Sequence, residues 1–547
     1  MRTTVAVLLL ATACAQPAPN EPGRAPAAGG GAPAPSGRAP AAGSGAGSAS
    51  AGGAAGPPAP GGSGAAPGAT APPPAACAPG PGKTYDVGDG KPYRALGDVP
   101  FERLRPGDTV RVHWRAEPYR EKILLSASGT RDKPIRLCGV PGPRGQLPVV
   151  SGDNATTRRE SIYPYAGTQD RGLVVVTVRK PYRWGDKPSW IAIENLELRS
   201  AYRGDDDDHP LGFTDAGGKR RAYSTNAASI FIERGEHIAV RNCVLHDSAY
   251  GLFVASGNSE EVVSREILVE GNWIYGNGTA GTDRRHNVYT EAAGIVFQGN
   301  RFGPQRAGAR GNQIKDRSAG TIVRYNWIEG GAHLLDLVEP EEAAPVLVAD
   351  PRYRETFVYG NVMISGPRDG SSIVHYGGDN GVTKTYRKGT LYFFHNTVVI
   401  RASDKQRWNT ALFRVETDDE TVDARNNIIW NGGTTHLYLM KKAGQLTLGT
   451  NWISSRYGTW QYADQRVAGT IRGEDRLLRG DAPGFVDAAG DDFRLAPASK
   501  ARGAGGPLAD AAGARARPPR QYVPHRQIGP RASLGRGADL GAFGDSQ

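Results

Sequence analysis

Short runs of apolar and β-branched residues recur through the chain beyond about residue 83. Glu266–Glu270 and Thr321–Arg324 are typical, with aliphatic positions set between polar ends. Such short alternating runs predict β-strands. No long pattern with a 3.6-residue period appears, which argues against helical repeats and against leucine-rich repeats that contain helices. The hydrophobic pattern therefore predicts an all-β domain.

An asparagine followed by apolar residues recurs between these runs. It stands at Asn195, Asn242, Asn272, Asn300, Asn326, Asn361, Asn396, Asn427 and Asn451. From Asn242 onward the successive spacings are 30, 28, 26, 35, 35, 31 and 24 residues, and 47 residues separate Asn195 from Asn242, which indicates an insertion. A period of roughly 20–50 residues predicts a solenoid.

Asparagine has two physical uses in such a coil. It tolerates the left-handed bend between two strands. Stacked in successive coils, its amide both donates and accepts hydrogen bonds. Strands of fixed length with loops of variable length would explain the uneven spacing, so we expect a single-stranded right-handed parallel β-helix solenoid. A β-sandwich is the alternative.

The start of this domain contains one helical signal. Asp98–Leu104 has proline in its first turn, and Pro106–Asp108 then turns into the alternating strand Thr109–Trp114. The end of a solenoid core must be covered. We therefore predict a short N-terminal capping helix at Asp98–Leu104.

The first 82 residues predict export and tethering. Residues 1–13 combine Arg2, a short apolar run and small residues, as in a signal peptide. Leu10–Cys14 resembles a bacterial lipobox, which implies lipidation at Cys14 and an outer-membrane or cell-surface location; ordinary secretion is the alternative. Residues 14–82 are almost wholly Ala, Gly, Pro and Ser, which predicts a disordered tether. The predicted β-helix domain spans residues 83–547.

The cysteines and the net charge limit the sites and partners that the chain is expected to have. Cys77, Cys138 and Cys243 have no metal-ligand spacing, so neither a metal site nor a disulfide framework is predicted, and Cys138 and Cys243 are expected to be buried. The formal charge of +11 favours polyanionic partners. Nucleic acid is not expected as a partner of an exported chain. We therefore expect acidic polysaccharide as the partner, with membrane contact only through the lipid anchor.

The densest polar cluster lies in two neighbouring coils, Arg285–Glu291 and Gly311–Ser318. Tyr289 precedes Asn300 by 11 residues, as Lys315 precedes Asn326. Equal offsets predict that Tyr289 and Lys315 occupy matching positions of adjacent coils, about 4.8 Å apart. The same count aligns His286 with Asn312. If Ile314 points into the core, Gln313, Lys315 and Arg317 point outward on one face.

These residue types suit β-elimination of a uronic acid polymer. The reaction needs a base, positive charge for the developing anion, and an acid for the leaving oxygen. We predict Lys315 as base, its pKa lowered by Arg317. Arg317 would hold the substrate carboxylate, and Tyr289 or His286 would donate the proton. A solvated basic face with a satisfied histidine is the alternative.

The repeats resemble the pectate-lyase-like superfamily of right-handed parallel β-helices. His286–Tyr289, Gln313–Arg317 and His333–Leu337 are similar to a group of exported bacterial proteins described as polysaccharide-degrading. Asp316 departs from the Ser or Ala usual there, so its carboxylate either points to the opposite face or pairs with a neighbour. We expect Asn287, Asn312, Gln313, Asp336 and His375 to bind the substrate.

Lys315 and Arg317 also resemble the pair in the chondroitinase B and alginate lyase family, in which acidic residues hold calcium. Calcium is therefore a possible cofactor, and the acidic run Asp205–His209 is a second candidate site. We expect a monomeric polysaccharide lyase for an acidic glycan. A glycoside hydrolase using Asp336 and Glu339, an epimerase, and a non-catalytic glycan-binding lipoprotein are the alternatives.

Overall fold

The chain winds as a parallel β-helix through three long sheets. The computed structural model describes residues 77–204, 211–366, 372–404, 409–461 and 469–545. Most turns of the solenoid contribute one strand to each sheet, and neighbouring strands of these sheets pair in parallel, except Gly212–Thr214 with Arg220–Ala222, which pair antiparallel. The expected parallel β-helix is confirmed. No helix among the described residues is long and apolar enough to cross a membrane.

Neighbouring strands follow chain order in the first two sheets, and in the third from Gly172–Val176 onward; at its edge Thr156–Thr157, Gly212–Thr214 and Arg220–Ala222 lie beyond Glu121–Leu125. The first sheet contains Thr84–Val87, Thr109–His113, Ile135–Val140, Ser189–Glu194, Glu236–Arg241, Arg265–Glu270, Ala293–Gln298, Ala319–Arg324, Glu355–Tyr359, Thr390–Phe394, Thr421–Arg425, Gln445–Leu448 and Thr470–Arg472. The second sheet contains Val149–Ser151, Glu197–Arg199, Val244–His246, Trp273–Ile274, Arg301–Phe302, Trp327–Glu329, Val362–Ser365, Thr397–Ile400, Ile428–Asn431, Asn451–Ser454 and Leu477–Gly480. The third sheet contains Glu121–Leu125, Thr156–Thr157, Gly172–Val176, Gly212–Thr214, Arg220–Ala222, Ala228–Glu233, Tyr250–Ala255, Val288–Thr290, Ile314–Asp316, Leu335–Leu337, Ser372–Tyr376, Thr410–Val415, Leu437–Lys442 and Gly458–Gln461.

The remaining elements are short. Two antiparallel hairpins near the C-terminus are formed by Phe485–Asp487 with Asp492–Leu495 and by Arg520–Val523 with Gln527–Pro530. The α-helices are Ala344–Leu347 and Asp510–Arg515. The 3-10 helices are Leu96–Asp98, Phe101–Arg103, Gln169–Arg171, Pro351–Arg354, Thr383–Thr385 and Glu474–Arg476. The C-terminal segment packs on the outside of the solenoid, where Phe493 and Tyr522 share a hydrophobic cluster with Trp327.

At the corner between the first and second sheets, the left-handed bend and the amide stack are formed by two adjacent positions of the chain. One position has left-handed backbone and holds Asn195, Asn242 and Asn426, with φ of 56°, 52° and 58°, while glycine stands there in coils such as that of Gly271. The strand register places Leu196, Cys243 and Asn272 at the next position along the chain. Asn195 and Asn242 therefore serve the bend and not the stack, which corrects the expectation of one common role.

A continuous amide ladder occupies the second position in seven coils. Its members are Asn272, Asn300, Asn326, Asn361, Asn396, Asn427 and Asn451, all fully buried. In each step the side-chain Nδ2 and the backbone N–H of one asparagine both donate to the Oδ1 of the next, as from Asn300 to Asn326 at 3.0 and 2.9 Å. Buried amides that are bonded in this way lock the coils in register, because each donor would otherwise lie unsatisfied away from water.

The N-terminal end differs from the sequence prediction in two ways. The expected capping helix is not confirmed, since Leu96–Asp98 and Phe101–Arg103 form 3-10 turns that follow the first strand. Their apolar side chains belong to the main core. Cys77 is joined to Cys138 by a disulfide, although no disulfide was expected and Cys77 was assigned to the tether. Cys243 is buried with a free thiol, as predicted. The signal peptide, Cys14 and most of the tether lie outside the described residues.

We predict that the two asparagine positions respond differently to substitution. Asn326→Ala removes the acceptor of two Asn300 donors and should lower the free energy of unfolding by about 2 kcal/mol or more. Asn242→Gly is the matched control and should change it by less than about 1 kcal/mol, because glycine suits a left-handed bend. Urea unfolding of the two variants measures the difference; equal losses would contradict the separation of roles.

Candidate functional site

One line of side chains follows the outer face of the third sheet, one from each coil. The strand register aligns Phe231, Phe253, Tyr289, Lys315, Asp336, His375, Arg414 and Lys441. Their strand neighbours, among them Ile314 and Leu335, lie in the hydrophobic core on the other face. Successive members are separated by the spacing between strands, about 4.8 Å. We call the six from Tyr289 to Lys441 the polar row.

The predicted alignment of Tyr289 with Lys315 is confirmed by the register. Asp316, the departure from the resembled group, points to the opposite face, where it is fully buried. Its carboxylate accepts hydrogen bonds from Thr290 Oγ1 at 2.7 Å and from the guanidinium of Arg387 at 3.1 Å. The carboxylate of Asp316 therefore does not weaken the charges on the outer face.

Lys315 is held between two carboxylates. Its Nζ lies 2.8 Å from Asp336 Oδ2 and also donates to Asp379 Oδ2. Burial alone would lower the pKa of Lys315, and Arg317 acts in the same sense, but the two carboxylates outweigh them and the pKa is raised. The prediction of Lys315 as a base with a lowered pKa is therefore wrong for this state, and its ammonium is a fixed cation.

Arg317 is likewise occupied by carboxylates of the protein. Its guanidinium contacts Glu339 Oε2 at 3.3 Å, Glu341 Oε1 at 3.0 Å and Asp379 Oδ1 at 3.0 Å. Only 2% of the side chain is exposed. A substrate carboxylate would have to displace one of these partners, so the predicted clamp is not available in the resting arrangement.

Asp379 is the acidic residue of this cluster that sequence reasoning missed. It lies in the loop after Ser372–Tyr376, and its backbone N–H donates to Glu339 Oε2 at 2.9 Å. Glu339 also accepts from Asn380 N–H, so it positions this loop. Burial would raise the pKa of Asp379, but Lys315 and Arg317 lower it to about 2. Asp379 is therefore ionised at neutral pH, with 14% of its side chain exposed.

A buried chain of charges continues along the row from Asp336. His375 Nδ1 lies 2.7 Å from Asp336 Oδ1, and its Nε2 lies 3.0 Å from Glu416 Oε1. Burial and Arg414 lower the pKa of His375, but the two carboxylates prevail and raise it. Asp336 and His375 were predicted to bind substrate. Both are nearly inaccessible, so they support the site from below and do not meet substrate directly.

His286 is a neutral histidine in this arrangement. Burial, followed by repulsion from Lys315, lowers its pKa to about 3. Its Nδ1 accepts a hydrogen bond from the backbone N–H of Asn312 at 2.9 Å, in line with the predicted alignment of these two residues. The imidazole is therefore neutral at neutral pH and has no second proton to donate, which argues against the predicted role of proton donor. Asn312 Nδ2 in turn donates to Asp336 Oδ2 at 2.6 Å.

Asn287 and Gln313 were predicted to bind substrate, but they lie inside the solenoid. Both are fully buried, and Asn287 Nδ2 donates to Gln313 Oε1 at 2.5 Å. Asn277 Nδ2 donates to Asn287 Oδ1, and Gln313 Nε2 donates to the Glu329 carbonyl. These residues form a second, shorter amide ladder. Gln313 therefore does not share the outer face with Lys315.

Tyr289 is the predicted residue that remains partly accessible beside the cluster. Its hydroxyl donates to Glu341 Oε2 at 3.1 Å, and its ring stacks on Phe253 with centroids 4.7 Å apart. Burial raises the pKa of the phenol well above its usual value. Tyr289 therefore keeps its proton at neutral pH and is able to donate it.

The carboxylates of the cluster do not fit the calcium that the resemblance suggested. Asp336 and Asp379 direct their oxygens at Lys315, and Glu339 directs its own at Arg317 and backbone N–H groups. Across the described ranges no group of three or more His, Cys, Asp or Glu side chains is arranged to hold a metal ion. The acidic residues Asp205–Asp208 lie outside those ranges.

Comparisons with known proteins find matches among solved structures only. No protein-family model matches the chain, and no curated protein matches it. Among solved structures it is similar to a pectate lyase (11% identity, 85% of this chain and 96% of that chain, TM-score 0.35). It is also similar to a mannuronic acid specific polysaccharide family 6 lyase from human gut microbiota (11%, 73% and 92%, 0.40) and to a family 28 exopolygalacturonase from Yersinia enterocolitica (11%, 73% and 77%, 0.33). At these TM-scores the fold assignment rests on the strand order of the chain itself.

The neutral state of His286 predicts an acid-dependent loss of stability. The folded chain protonates His286 only near pH 3, whereas an unfolded histidine titrates near about 6.5. Between these values the unfolded state binds more protons, so stability falls as the pH is lowered. From about pH 6 to about pH 4, His286→Asn should reduce the slope of the free energy of unfolding against pH by up to roughly 1.4 kcal/mol per pH unit.

Urea unfolding across this pH range measures that slope. His436→Asn, at an exposed histidine, is the matched control for the substitution itself. Parallel slopes for wild type and His286→Asn would show that the buried ring is not neutral.

Proposed function

We propose that this protein degrades an anionic polysaccharide by β-elimination at the polar row. The supporting observation is the row itself, in which six consecutive coils present Tyr289, Lys315, Asp336, His375, Arg414 and Lys441 in one straight line. A row with a regular spacing of about 4.8 Å suits a linear polymer lying along the solenoid axis, with the buried Asp336 and His375 supporting the members that contact it. The expected export of the chain would bring it to such a polymer.

Exposed positive charge at the C-terminal end of the row supports an acidic substrate. The side chains of Arg414 and Lys442 are 32% and 51% exposed and share Glu416 as their partner. Lys441 lies beside Arg414 in the register. Burial, then repulsion from Arg414, lowers the pKa of Lys441 to about 8. Clustered cations of this kind attract polyanions and orient them along the face.

The chemical step is assigned to Tyr289, Lys315 and Asp379. Lys315 is the fixed cation that stabilises negative charge developing on the uronate. Tyr289 holds its proton and donates it to the leaving oxygen, and Asp379 is the ionised carboxylate at the edge of the cluster that accepts the proton from the sugar carbon. Lys441 lies four coils from Lys315, about 19 Å away, so it binds substrate without acting on the same bond.

Asp379→Asn tests this assignment with little change of shape. Loss of a proton acceptor should lower kcat by about 100-fold or more, measured as ultraviolet-absorbing unsaturated ends released from alginate, pectate and glycosaminoglycans. Lys441→Met is the matched control, which should raise KM and leave kcat nearly unchanged. A large loss of kcat in Lys441→Met alone would move the chemistry to the C-terminal end of the row.

The products formed by the wild type separate the competing functions. New reducing ends without ultraviolet absorbance would overturn the lyase proposal in favour of a glycoside hydrolase. Its two carboxyl groups would be Asp336 and Asp379, which both contact the Lys315 ammonium. Binding of these polymers without any new ends would instead identify a glycan-binding protein. Asp379→Asn removes a partner of Lys315 and Arg317, so its thermal unfolding midpoint should fall, and it must stay above the assay temperature to exclude loss of fold.

A further inference from the structure

Arg171, at the other end of the same line of side chains, is a cation that forms no salt bridge with a carboxylate of the described residues. It ends the 3-10 helix Gln169–Arg171 and leads into the strand Gly172–Val176. Its guanidinium carbon lies 4.5 Å from the centre of the Phe231 ring and 4.8 Å from that of Phe253. It therefore lies over the two aromatic side chains that precede Tyr289 in the register.

The polar contacts of this guanidinium are incomplete. Nε is buried and has no hydrogen-bond partner, and no salt bridge to Arg171 is formed by any described carboxylate. Glu233 and Glu342 influence it only at longer range. The neighbouring cations of the face are different, because Lys315 and Arg317 are both neutralised by carboxylates of the protein. A guanidinium with a buried, unpaired Nε and no described carboxylate in contact is unfavourable, so an anionic ligand would complete it.

The position of Arg171 relative to the cluster defines which sugar it would meet. Phe253 is two coils from Lys315 and Phe231 is three coils away, so the guanidinium lies roughly 10–14 Å from Lys315 along the sheet. That distance exceeds one sugar unit. Arg171 therefore cannot hold the carboxylate of the reacting uronate, and it can hold that of a unit farther along the chain.

We propose that Arg171, supported on Phe231 and Phe253, is a subsite that binds the carboxylate of a uronate remote from the cleaved bond. This inference rests on the proposed function only in taking the ligand to be the same anionic glycan. A guanidinium presents a planar fork of N–H donors that matches a carboxylate. Contact with two rings restrains the side chain before the ligand arrives, which reduces the entropy lost on binding.

The subsite is tested by calorimetric binding of purified oligosaccharides of pectate and alginate, two and six units long. Arg171→Gln should weaken binding of the hexamers by about 10-fold or more, as expected for loss of a hydrogen bond to a charged group. Binding of the dimers should not change, because they are too short to reach from the cluster to Arg171. Arg171→Gln should bind methyl-esterified pectate hexamer with the same affinity as the wild type, because esterified carboxyl groups carry no charge.

Two further variants separate recognition from structure. Arg324→Gln removes an equal charge from the first sheet, where Arg324 bonds Gln298, and should leave all affinities unchanged. Arg171→Lys keeps the charge and should restore part of the hexamer affinity. Equal weakening for the esterified hexamer, no weakening for the charged hexamers, or no binding of either acidic hexamer by the wild type would each overturn the subsite.

Turnover distinguishes failure of the subsite from failure of the proposed function. If the wild type binds hexamers in an Arg171-dependent way but cleaves none of the polymers, the subsite stands and the lyase proposal falls. If the wild type cleaves a polymer and Arg171→Gln has the same KM and hexamer affinity, the lyase proposal stands and the subsite falls.

Discussion

The register between successive coils is the constraint on which the candidate site depends. Side chains alternate between the two faces of a strand, so a slip of one residue would turn Lys315 into the core and Asp316 outward. Backbone bonds between strands do not by themselves choose between such registers. The buried amide ladder does, since each asparagine from Asn272 to Asn427 must meet the Oδ1 of the next. Packing inside the solenoid thereby fixes the order of charges on its surface.

The charges on that surface are stabilised mainly by one another. Lys315 and Arg317 are almost inaccessible, yet each contacts ionised carboxylates, and Asp379 contacts both. Removing one partner from such a buried network leaves an uncompensated charge, which costs several kcal/mol. Substrate therefore meets a site that is already organised, in which the cations are fixed and the groups at its edge, Tyr289 and Asp379, are available for proton transfer. Arg171 differs because its charge is unmatched.

The sequence predicted the fold and one register pair, and failed where loops vary in length. Tyr289 and Lys315 each precede a ladder asparagine by 11 residues, so their alignment could be read directly. Asp336 precedes Asn361 by 25 residues and His375 precedes Asn396 by 21, so the same count could not extend the row. Asp379 lies in such a loop and left no periodic signal. Nor could the sequence give the protonation of Lys315 or His286, which depends on burial and on partners distant in the chain.

The charge on Lys315 is the central claim and can be measured directly. Nuclear magnetic resonance of the protein with ¹³C-labelled lysine side chains, with Lys315→Arg used to assign its Cε signal, follows this group through a pH titration. Because Asp336 and Asp379 stabilise the ammonium, the signal should titrate above the usual range of lysine, about 10.4. A midpoint near neutral pH would contradict the account and return Lys315 to the role of base.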